Sequence, residues 1–241
     1  MQRYFVDKTE NLALSNDDIF HLIHVMRSRI GDKFEICDNE NVFLTEIVNT
    51  NPFSFKIVEK IEKNSELSVY IRLLYCIPKG DKLDLVIQKA CEIGISEIVL
   101  VNSSRCVAKI DKKSADKKII RFNKIIKEAC EQSKRVKLVK LNDIIDYKDI
   151  GKYPADLSLI AYENENSMQG EIKRLLNEKV KTINILVGAE GGFSLEEVEF
   201  AKKANFSSIS LGKRILRSET ACIYLMSILS FLVDCDYGNN I

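Results

Sequence analysis

Three glycines and an acid follow a short apolar run and carry the first chemical signal of the sequence. Residues 185–187 (ILV) have the composition of a buried strand, and Gly188, Gly191 and Gly192 then surround Glu190. A strand, a glycine loop and a helix start together commonly bind phosphate, but Glu190 would repel it. The loop therefore suits a cationic ligand or one held by backbone hydrogen bonds, and a simple tight turn is an equally good interpretation.

A second polar loop, residues 212–221 (GKRILRSETA), precedes the last apolar helix. Ser218 can cap that helix and Glu219 favours its dipole, so part of this polarity has a structural explanation. Ile215 and Leu216 lie within the loop, and apolar side chains there suit stacking against a flat ligand. Neither loop fits the patterns that bind dinucleotides or nucleoside triphosphates.

Two further polar stretches are candidates for binding. Glu128, Gln132 and Arg135 are spaced by four and three residues, so they can share a helix face, either as a salt-bridge row or as a site. His21 and His24 have no cysteine partners nearby and make a poor metal site. Seven single cysteines without a C-x-x-C pair predict buried, reduced thiols in a cytosolic protein and no zinc site.

The charge of the chain is unevenly distributed. Residues 71–150 carry 18 basic and 11 acidic side chains, whereas residues 1–70 carry 8 and 12. The basic excess is densest in residues 112–140 and indicates either a solvated helix face or a surface for a polyanion. No apolar run reaches membrane-spanning length, and the first residues do not resemble a signal peptide.

Secondary-structure patterns divide the sequence in two. Up to residue 77, where LSVYIRLLYCI ends, strands surround one short helix at residues 16–28, capped by Asn16 or Asp17, and a small β-barrel is the natural closure. Strands then alternate with helices, which predicts a parallel sheet covered on both faces. Those helices are expected at residues 82–93, 115–133, 168–178, 195–204 and 219–233. We therefore predict an α/β protein with domains at residues 1–72 and 73–241.

Ligands of parallel α/β sheets bind where the strands end. Three loops meet this condition: those after residues 157–163 (LSLIAYE), after 183–187 (INILV) and after 207–211 (SSISL). Ser194 and Glu197 additionally form a predicted capping box at the helix that follows the glycine loop. The glycine loop and the GKRILRSETA loop are thus expected at the same edge of the sheet.

With these segments identified, the sequence resembles the ribosomal RNA small subunit methyltransferase E family, a SPOUT-class family that methylates N3 of a uridine. The stretches that carry the resemblance occur in family order over essentially the whole chain. They are RYFV, HLIHVMRSRIGD, KGDKLDLVIQKACEIGISEIVLVNSSRC, EACEQSKR, LVGAEGGFSLEEVEFA and LGKRILRSETA. The last two together are highly specific, and Ala189 replaces a proline that is usual in the family.

The resemblance implies a PUA-like RNA-binding barrel followed by a SPOUT domain with a deep trefoil knot. It implies S-adenosylmethionine (SAM) as methyl donor, no metal, a homodimer through the knot domain, and a cytoplasmic enzyme. Its substrate would be 16S rRNA, in the assembled small subunit. By position, the SAM-binding residues would be Leu159, Ala161, Leu186, Val187, Gly188, Glu190, Gly191, Leu211, Gly212, Ile215, Leu216 and Ala221.

Methyl transfer to uridine N3 requires loss of the N3 proton or stabilisation of the uracil anion. We expect Arg217 and Arg135 to neutralise that anion or bind the adjacent phosphate, and Glu190 or Glu219 to accept the proton or fix an arginine. RNA would be held by Arg3, Arg27, Arg29, Gln132 and Arg135. Two alternatives remain: a ribose 2′-O-methyltransferase of the same class, and a non-catalytic RNA-binding assembly factor.

Overall fold

The structure, a computed structural model, describes residues 1–7, 12–106, 110, 112–163, 172, 175–177 and 179–234, with backbone alone at 112–114. The chain forms two compact units. The first contains Met1–Glu66 and Lys127–Leu138, and the second contains Leu67–Ile126 and Val139–Ile241. The division therefore falls before the expected residue 72, and a short later segment joins the first unit.

The first unit contains a four-stranded sheet in the order β1-β2-β3-β4. Its strands are β1 (Arg3–Phe5), β2 (Lys33–Cys37), β3 (Val42–Thr50) and β4 (Phe53–Ile61). β1 pairs with β2 in parallel, and the other neighbours are antiparallel. The core of the unit comprises Tyr4, Val6, Leu14, Leu22, Phe34, Ile36 and Ile47. Burying this apolar set is the main source of the unit's stability.

The short helix of the first unit differs from its prediction. Helix α1 spans Asn16–Phe20 and continues as a π-helical turn, His21–Val25. Its cap is Ser15, whose hydroxyl accepts a hydrogen bond from the amide of Asp18 at 3.1 Å. The expected caps Asn16 and Asp17 were therefore wrong by one or two positions, because all three residue types suit a cap.

The second unit contains a parallel sheet. Within the described residues its order is β11-β9-β10-β5-β6-β7, and β8 also pairs with β6. The strands are β5 (Tyr70–Cys76), β6 (Glu97–Asn102), β7 (Lys140–Leu141), β8 (Ile145–Asp146), β9 (Leu157–Ala161), β10 (Thr182–Val187) and β11 (Phe206–Ile209). β10 lies between β5 and β9, so chain connections leave β5 and β10 in opposite directions. Such a switch point opens a crevice at the carboxyl ends of the strands.

Strand β5 lies in this parallel sheet, whereas the sequence pattern assigned it to the barrel. It pairs with β10 on one side and β6 on the other. Ile71, Leu73 and Leu74 are fully buried, so the strand is apolar on both faces. A run of this kind is typical of a central parallel strand, and it explains why the second unit begins before residue 70.

The helices of the second unit follow their predictions closely. They are α2 (Lys82–Ile93), α3 (Lys112–Gln132), α4 (Leu195–Lys203) and α5 (Ser218–Asp234), with the end of α3 counted in the first unit. α2 ends at Gly94, which has φ of 106°, a left-handed conformation that favours glycine. Most of the helix predicted at residues 168–178 lies outside the described residues. The strand expected at 136–141 is reduced to β7, because residues 136–138 belong to the first unit.

Candidate active site

A cleft of about 410 Å³ lies in the second unit at the carboxyl edge of the sheet. This volume is within the range of small-molecule sites. Its walls come from the ends of β9 and β10, the glycine loop, the 212–217 loop and the first turns of α2 and α5. The lining residues are Lys82, Ala161, Glu163, Val187, Gly188, Ala189, Glu190, Gly191, Gly192, Phe193, Ile215, Leu216, Arg217, Ser218 and Ala221.

The glycine loop is a tight turn with little space for side chains. Gly192 has φ of 62°, and its amide donates to the carbonyl oxygen of Ala189 at 2.9 Å. A Cβ atom on Gly188 would lie 3.2 Å from the Phe193 ring and 3.3 Å from the backbone of Gly192. The loop therefore presents backbone groups to the cleft, as a ligand held by backbone hydrogen bonds requires.

The predicted capping box after this loop is confirmed. The Ser194 hydroxyl accepts from the Glu197 amide at 3.2 Å, and the Glu197 carboxylate accepts from the Ser194 amide at 3.0 Å. The other oxygen of Glu197 accepts from the amide of Ser104 at 2.7 Å. The start of α4 is thus fixed to the loop that follows β6.

Glu190 does not project freely into the cleft. Its carboxylate accepts a hydrogen bond from the Lys82 ammonium at 2.9 Å and from the Lys79 amide at 3.2 Å. Partial burial acts to raise the pKa of Glu190, but these hydrogen bonds outweigh it and hold the pKa below its ordinary value. The acid in the glycine loop therefore joins that loop to the segment after β5.

Lys82 also approaches the helix that follows the polar loop. Its ammonium lies 3.5 Å from a carboxylate oxygen of Glu219, in the first turn of α5. The hydrogen bond with Glu190 is the main reason that the pKa of Lys82 lies above its ordinary value. Lys82 is thus a cation between two carboxylates at the cleft.

Ser218 is buried and binds away from its own helix. Its hydroxyl donates to the carbonyl oxygen of Gly188 at 2.5 Å and lies 2.9 Å from the Tyr75 hydroxyl. Instead of the predicted cap, Ser218 forms a link from α5 to the glycine loop and to β5. Burial raises the pKa of Tyr75 well above its ordinary range, so its hydroxyl is a stable donor.

Arg217 differs from the other cation at the cleft. Its side chain is exposed, and its guanidinium makes no hydrogen bond or ion pair with any residue that the structure describes. Ile215, two positions earlier, is 89% exposed. Arg217 and Ile215 therefore line the cleft as a cation without a described partner and an uncovered apolar side chain.

The structure brings most of the predicted cofactor residues together. Ala161, Val187, Gly188, Glu190, Gly191, Ile215, Leu216 and Ala221 line the cleft. Leu211 and Gly212 line a smaller adjoining cavity of about 70 Å³ that shares Ala161, Leu216 and Ala221. Leu159 and Leu186 lie elsewhere, fully buried within β9 and β10 as part of the core. Each lies one or two positions before the end of its strand, inside the packed core of the unit.

Six lining residues are absent from the predicted site residues: Lys82, Glu163, Ala189, Gly192, Phe193 and Ser218. Lys82 begins the helix predicted at residues 82–93 and was assigned no role in the site. Because β5 is parallel to β10, its end lies at the same edge of the sheet. The rule that selected three strand ends would have selected this fourth one, had β5 been assigned to the parallel sheet.

Arg3 and Arg135 are not on an RNA-accessible surface, and both are buried in the first unit. Arg3 pairs with Glu35 at 2.9 Å and donates to the carbonyl oxygen of Lys134 at 2.6 Å. Arg135 forms a two-point pair with Glu66, with contacts of 2.5 and 3.0 Å. Both guanidinium groups thus fix residues 127–138 within the first unit, and neither presents a charge to phosphate.

The remaining predicted RNA-binding residues are exposed. Arg27, Arg29 and Gln132 lie on the surface of the first unit. Gln132 does not share a helix face with Arg135, because α3 ends at Gln132 and Lys134 has φ of 63°. The spacing rule for helix faces ceases to apply beyond the last helical residue.

The described cysteines, at positions 37, 76, 91, 106, 130 and 222, are buried thiols, as predicted, whereas Cys235 lies outside the described residues. In the part of the chain that the structure describes, no group of three or more His, Cys, Asp or Glu is placed to hold a metal ion. Over the same residues, none of the helices is long and apolar enough to cross a membrane.

Comparison with known proteins gives concordant results. One family model, described as an RNA methyltransferase domain, matches residues 65–230, and another, an RNA methyltransferase PUA domain, matches residues 14–60. The ribosomal RNA small subunit methyltransferase E of Bacillus subtilis is 33% identical, covering 99% of this chain and 100% of that protein. The ribosomal RNA small subunit methyltransferase E 2 of Borreliella burgdorferi is 36% identical over 90% of this chain and 89% of that protein.

A solved structure extends this similarity to the fold. The crystal structure of a ribosomal RNA small subunit methyltransferase E from Neisseria gonorrhoeae, bound to S-adenosyl methionine, has a TM-score of 0.85 and 27% identity. The alignment covers 96% of this chain and 98% of that chain. The predicted fold class, a SPOUT-type parallel sheet preceded by a PUA-like domain, is confirmed. The chain therefore belongs to the ribosomal RNA small subunit methyltransferase E family.

Proposed function

We propose that this chain transfers a methyl group from SAM to N3 of a uridine in small-subunit (16S) ribosomal RNA. Family membership and the names of the relatives support the reaction class and the RNA. The observation that carries the proposal is the unpaired Arg217 beside a cleft whose other described cation, Lys82, is already paired. The substrate is taken to be the assembled small subunit, in the cytoplasm.

The cleft fits SAM in its chemistry. Ala161, Val187, Ile215 and Leu216 provide an apolar wall for a flat purine, and the glycine loop provides backbone hydrogen-bonding groups. Glu190 is already balanced by Lys82, and the carboxylate of Glu163 adds a negative charge that suits a ligand carrying positive charge. When bound, SAM supplies a methyl group on a sulfonium, a reactive carbon that requires alignment more than activation. The related Neisseria gonorrhoeae structure was determined with SAM.

The proposed chemistry depends on charge stabilisation. Uridine N3 must lose a proton before or during attack on the methyl carbon, and the uracil ring then carries negative charge. The Arg217 guanidinium, unpaired and exposed, is suited to stabilise that charge. Glu190 is a weak base because its pKa is lowered, so we assign it to fixing the glycine loop through Lys82. Glu219 remains the candidate proton acceptor among the predicted residues. The target base would have to leave its stack to reach the cleft.

A homodimer through the second unit is also proposed. Helix α5 is apolar over most of its length, with ionisable side chains only at Glu219, Cys222, Tyr224 and Asp234. Tyr224 and Phe231 are exposed on it, at 38% and 56%. Apolar side chains spaced by seven residues lie on one helix face and suit association with a second copy.

The proposal is tested with purified protein, SAM radiolabelled in its methyl group, and RNA that lacks the modification. Small ribosomal subunits and naked 16S rRNA from a strain deleted for its own family member are compared as substrates. We expect label in the subunit RNA and 3-methyluridine in its nucleoside digest by mass spectrometry. A 2′-O-methylated nucleoside would support the ribose methyltransferase instead. Absence of both label and calorimetric SAM binding would support the assembly factor.

A further inference from the structure

The outer face of the segment from Phe20, the last residue of α1, to Met26 is largely apolar, whereas Asp17 in the first turn of α1 is exposed and charged. Ile19, Leu22 and Ile23 pack into the core of the first unit. Phe20, Val25 and Met26 point outward and are 60%, 57% and 49% exposed, and Ile30 in the following loop is 64% exposed. Leaving this much apolar surface in water forfeits stabilisation that burial would give, and a clustered patch of this kind marks an interaction site.

Two exposed rings on this surface lie together. The centroids of Phe20 and His24 are 4.7 Å apart, with an angle of 36° between the ring planes. Both side chains are exposed, so the pair is open to a third ring. Exposed aromatic and histidine rings are the groups on which unpaired RNA bases stack.

Cations adjoin these rings, although the surrounding domain is acidic overall. Residues 19–31 (IFHLIHVMRSRIG) contain two arginines and no acidic residue, whereas residues 1–70 as a whole have 12 acidic and 8 basic side chains. Arg27 and Arg29 are exposed, and neither guanidinium has a hydrogen bond or ion pair with the residues that the structure describes. Asp32, just beyond, accepts from the backbone amide of Arg29 at 2.7 Å.

The backbone of this segment is unusual in two respects. His21–Val25 forms a π-helical turn, a rare geometry that is frequent at functional sites. Arg27 has φ of 55°, a left-handed conformation that is unfavourable for a residue with a Cβ. The π-helical turn begins directly after Phe20 and contains His24, and Arg27 is one of the two exposed arginines.

We infer that Phe20 and His24 form a stacking site for one unpaired RNA base, and that Arg27 and Arg29 bind the phosphates beside it. Rings alone would suit an apolar protein surface equally well, but rings beside unpaired cations in an acid-free segment favour a single-stranded polyanion that carries bases. The inference rests on the proposed function, since it assigns part of the RNA contact to the first unit. It adds a base-binding site beside Arg27 and Arg29, which the sequence analysis had predicted to bind RNA.

The experiment measures binding of a fluorescein-labelled single-stranded oligoribonucleotide, and of a duplex of the same sequence, by anisotropy. Phe20→Ala should weaken single-strand binding about tenfold, from the loss of one base stack. Phe20→Trp should restore it, whereas Phe20→Leu, which keeps apolar area without a ring, should not. Arg27→Gln should lower the slope of log affinity against log salt by about one. Val58→Ala, an exposed apolar position on β4 that is 43% exposed, is the matched control.

Three results would overturn the inference. Equal binding by Phe20→Leu and wild type would remove the stacking role. If Phe20→Ala binds small ribosomal subunits more weakly but binds the oligoribonucleotide as the wild type does, the surface contacts a protein partner. If Phe20→Ala changes the sedimentation mass of the protein, the surface contacts a second copy of this chain. Methyl transfer by the wild type is measured in parallel. If the wild type transfers no methyl group, the proposed function is contradicted, and the oligoribonucleotide binding data still test the stacking site by themselves.

Discussion

The two edges of the parallel sheet use similar side chains for opposite purposes. At the amino edge, Arg72 donates to Glu97 at 2.6 Å and to the amide oxygen of Asn184 at 2.8 Å. Glu97 is further bound by the Tyr70 hydroxyl at 3.0 Å and by Asn142. At the carboxyl edge, Lys82 occupies two carboxylates while Arg217 stays unpaired. Each edge has cations and acids, but Arg72 inside the amino edge is paired, whereas Arg217 lines the cleft with no partner among the described residues.

This difference separates side chains that fix the fold from one that is available to a ligand. Asn184 and Glu97 are nearly fully buried, so each polar atom there must find a partner within the protein. The carboxyl edge opens into the cleft, where an unpaired charge is hydrated and therefore lowers the stability of the folded state very little. A cation without a partner can therefore line the cleft at that edge, and it is there that an anionic transition state can be stabilised.

The largest expected effect is on catalysis at the carboxyl edge. Arg217→Ala should reduce the methylation rate about 100-fold or more, because one charged donor to the developing anion is lost. SAM affinity, measured by calorimetry, should change little, and so should the midpoint of thermal unfolding. Lys213→Ala, an exposed lysine of the same loop that does not line either cavity, is the control. Unchanged turnover in Arg217→Ala would remove this residue from the mechanism.

At the amino edge, the corresponding substitution should affect stability. Arg72→Ala removes the positive charge that balances the buried Glu97 carboxylate. This should lower the free energy of unfolding by about 3 kcal/mol. Urea unfolding followed by circular dichroism measures the change. Lys148→Ala removes a solvent-exposed ion pair with Asp146 (3.9 Å) and should cost less than about 1 kcal/mol. Loss of methylation without loss of stability in Arg72→Ala would contradict the division of roles between the edges.

The sequence predicts the loops at the carboxyl edge of the sheet better than the side-chain contacts at either edge. The loops at the carboxyl edge could be predicted because glycines, a capping box and stranded apolar residues have local causes that show in short stretches. Lys82 and its partners could not, since their contact depends on β5 lying beside β10. The buried hydrogen bonds of Glu97 likewise could not be predicted, because the sequence shows only a single charged residue at the start of a strand. The prediction of a trefoil knot came only from the resemblance, because neither periodicity nor composition carries information about chain threading.

The buried arginines show a different reason for failure. Arg3 and Arg135 were expected to bind RNA because arginine is the usual phosphate ligand. The same planar group also suits buried carboxylates and carbonyl oxygens, and Glu35 and Glu66 provide these from distant positions. A sequence shows the charge of an arginine but not whether a long-range partner has already taken it.

Removal of the shared cation at the carboxyl edge should have an intermediate effect. Lys82→Met leaves the carboxylates of Glu190 and Glu219 without their common partner, so the glycine loop loses its link to α2. SAM affinity should fall about tenfold, and Lys82→Arg should retain most of it because it keeps the charge. Calorimetry measures both. Lys89→Met, which removes an ion pair with Glu92 on the same helix, is the control.

The same variant should change the pH dependence of methylation. In the wild type the lowered pKa keeps Glu190 ionised through neutral pH. Two neighbouring carboxylates without Lys82 disfavour joint ionisation, which raises the pKa of one of them. The acid limb of the rate profile of Lys82→Met should therefore move to higher pH. An identical limb in wild type and variant would show that Lys82 does not control these carboxylates.

The smallest expected effect concerns acid stability at the amino edge. Burial acts to raise the pKa of Glu97, but hydrogen bonds from Asn142 and Arg72 outweigh it and leave the pKa below its ordinary value of 4.5. A depressed pKa stabilises the folded state above the unfolded-state value, and this contribution disappears as pH falls through the folded-state value. Glu97→Gln lacks this contribution at every pH, so its unfolding temperature should lie below that of the wild type at pH 7. The gap should narrow below pH 4.5, and a gap that stays constant into acid would show that ionisation of Glu97 does not stabilise this edge.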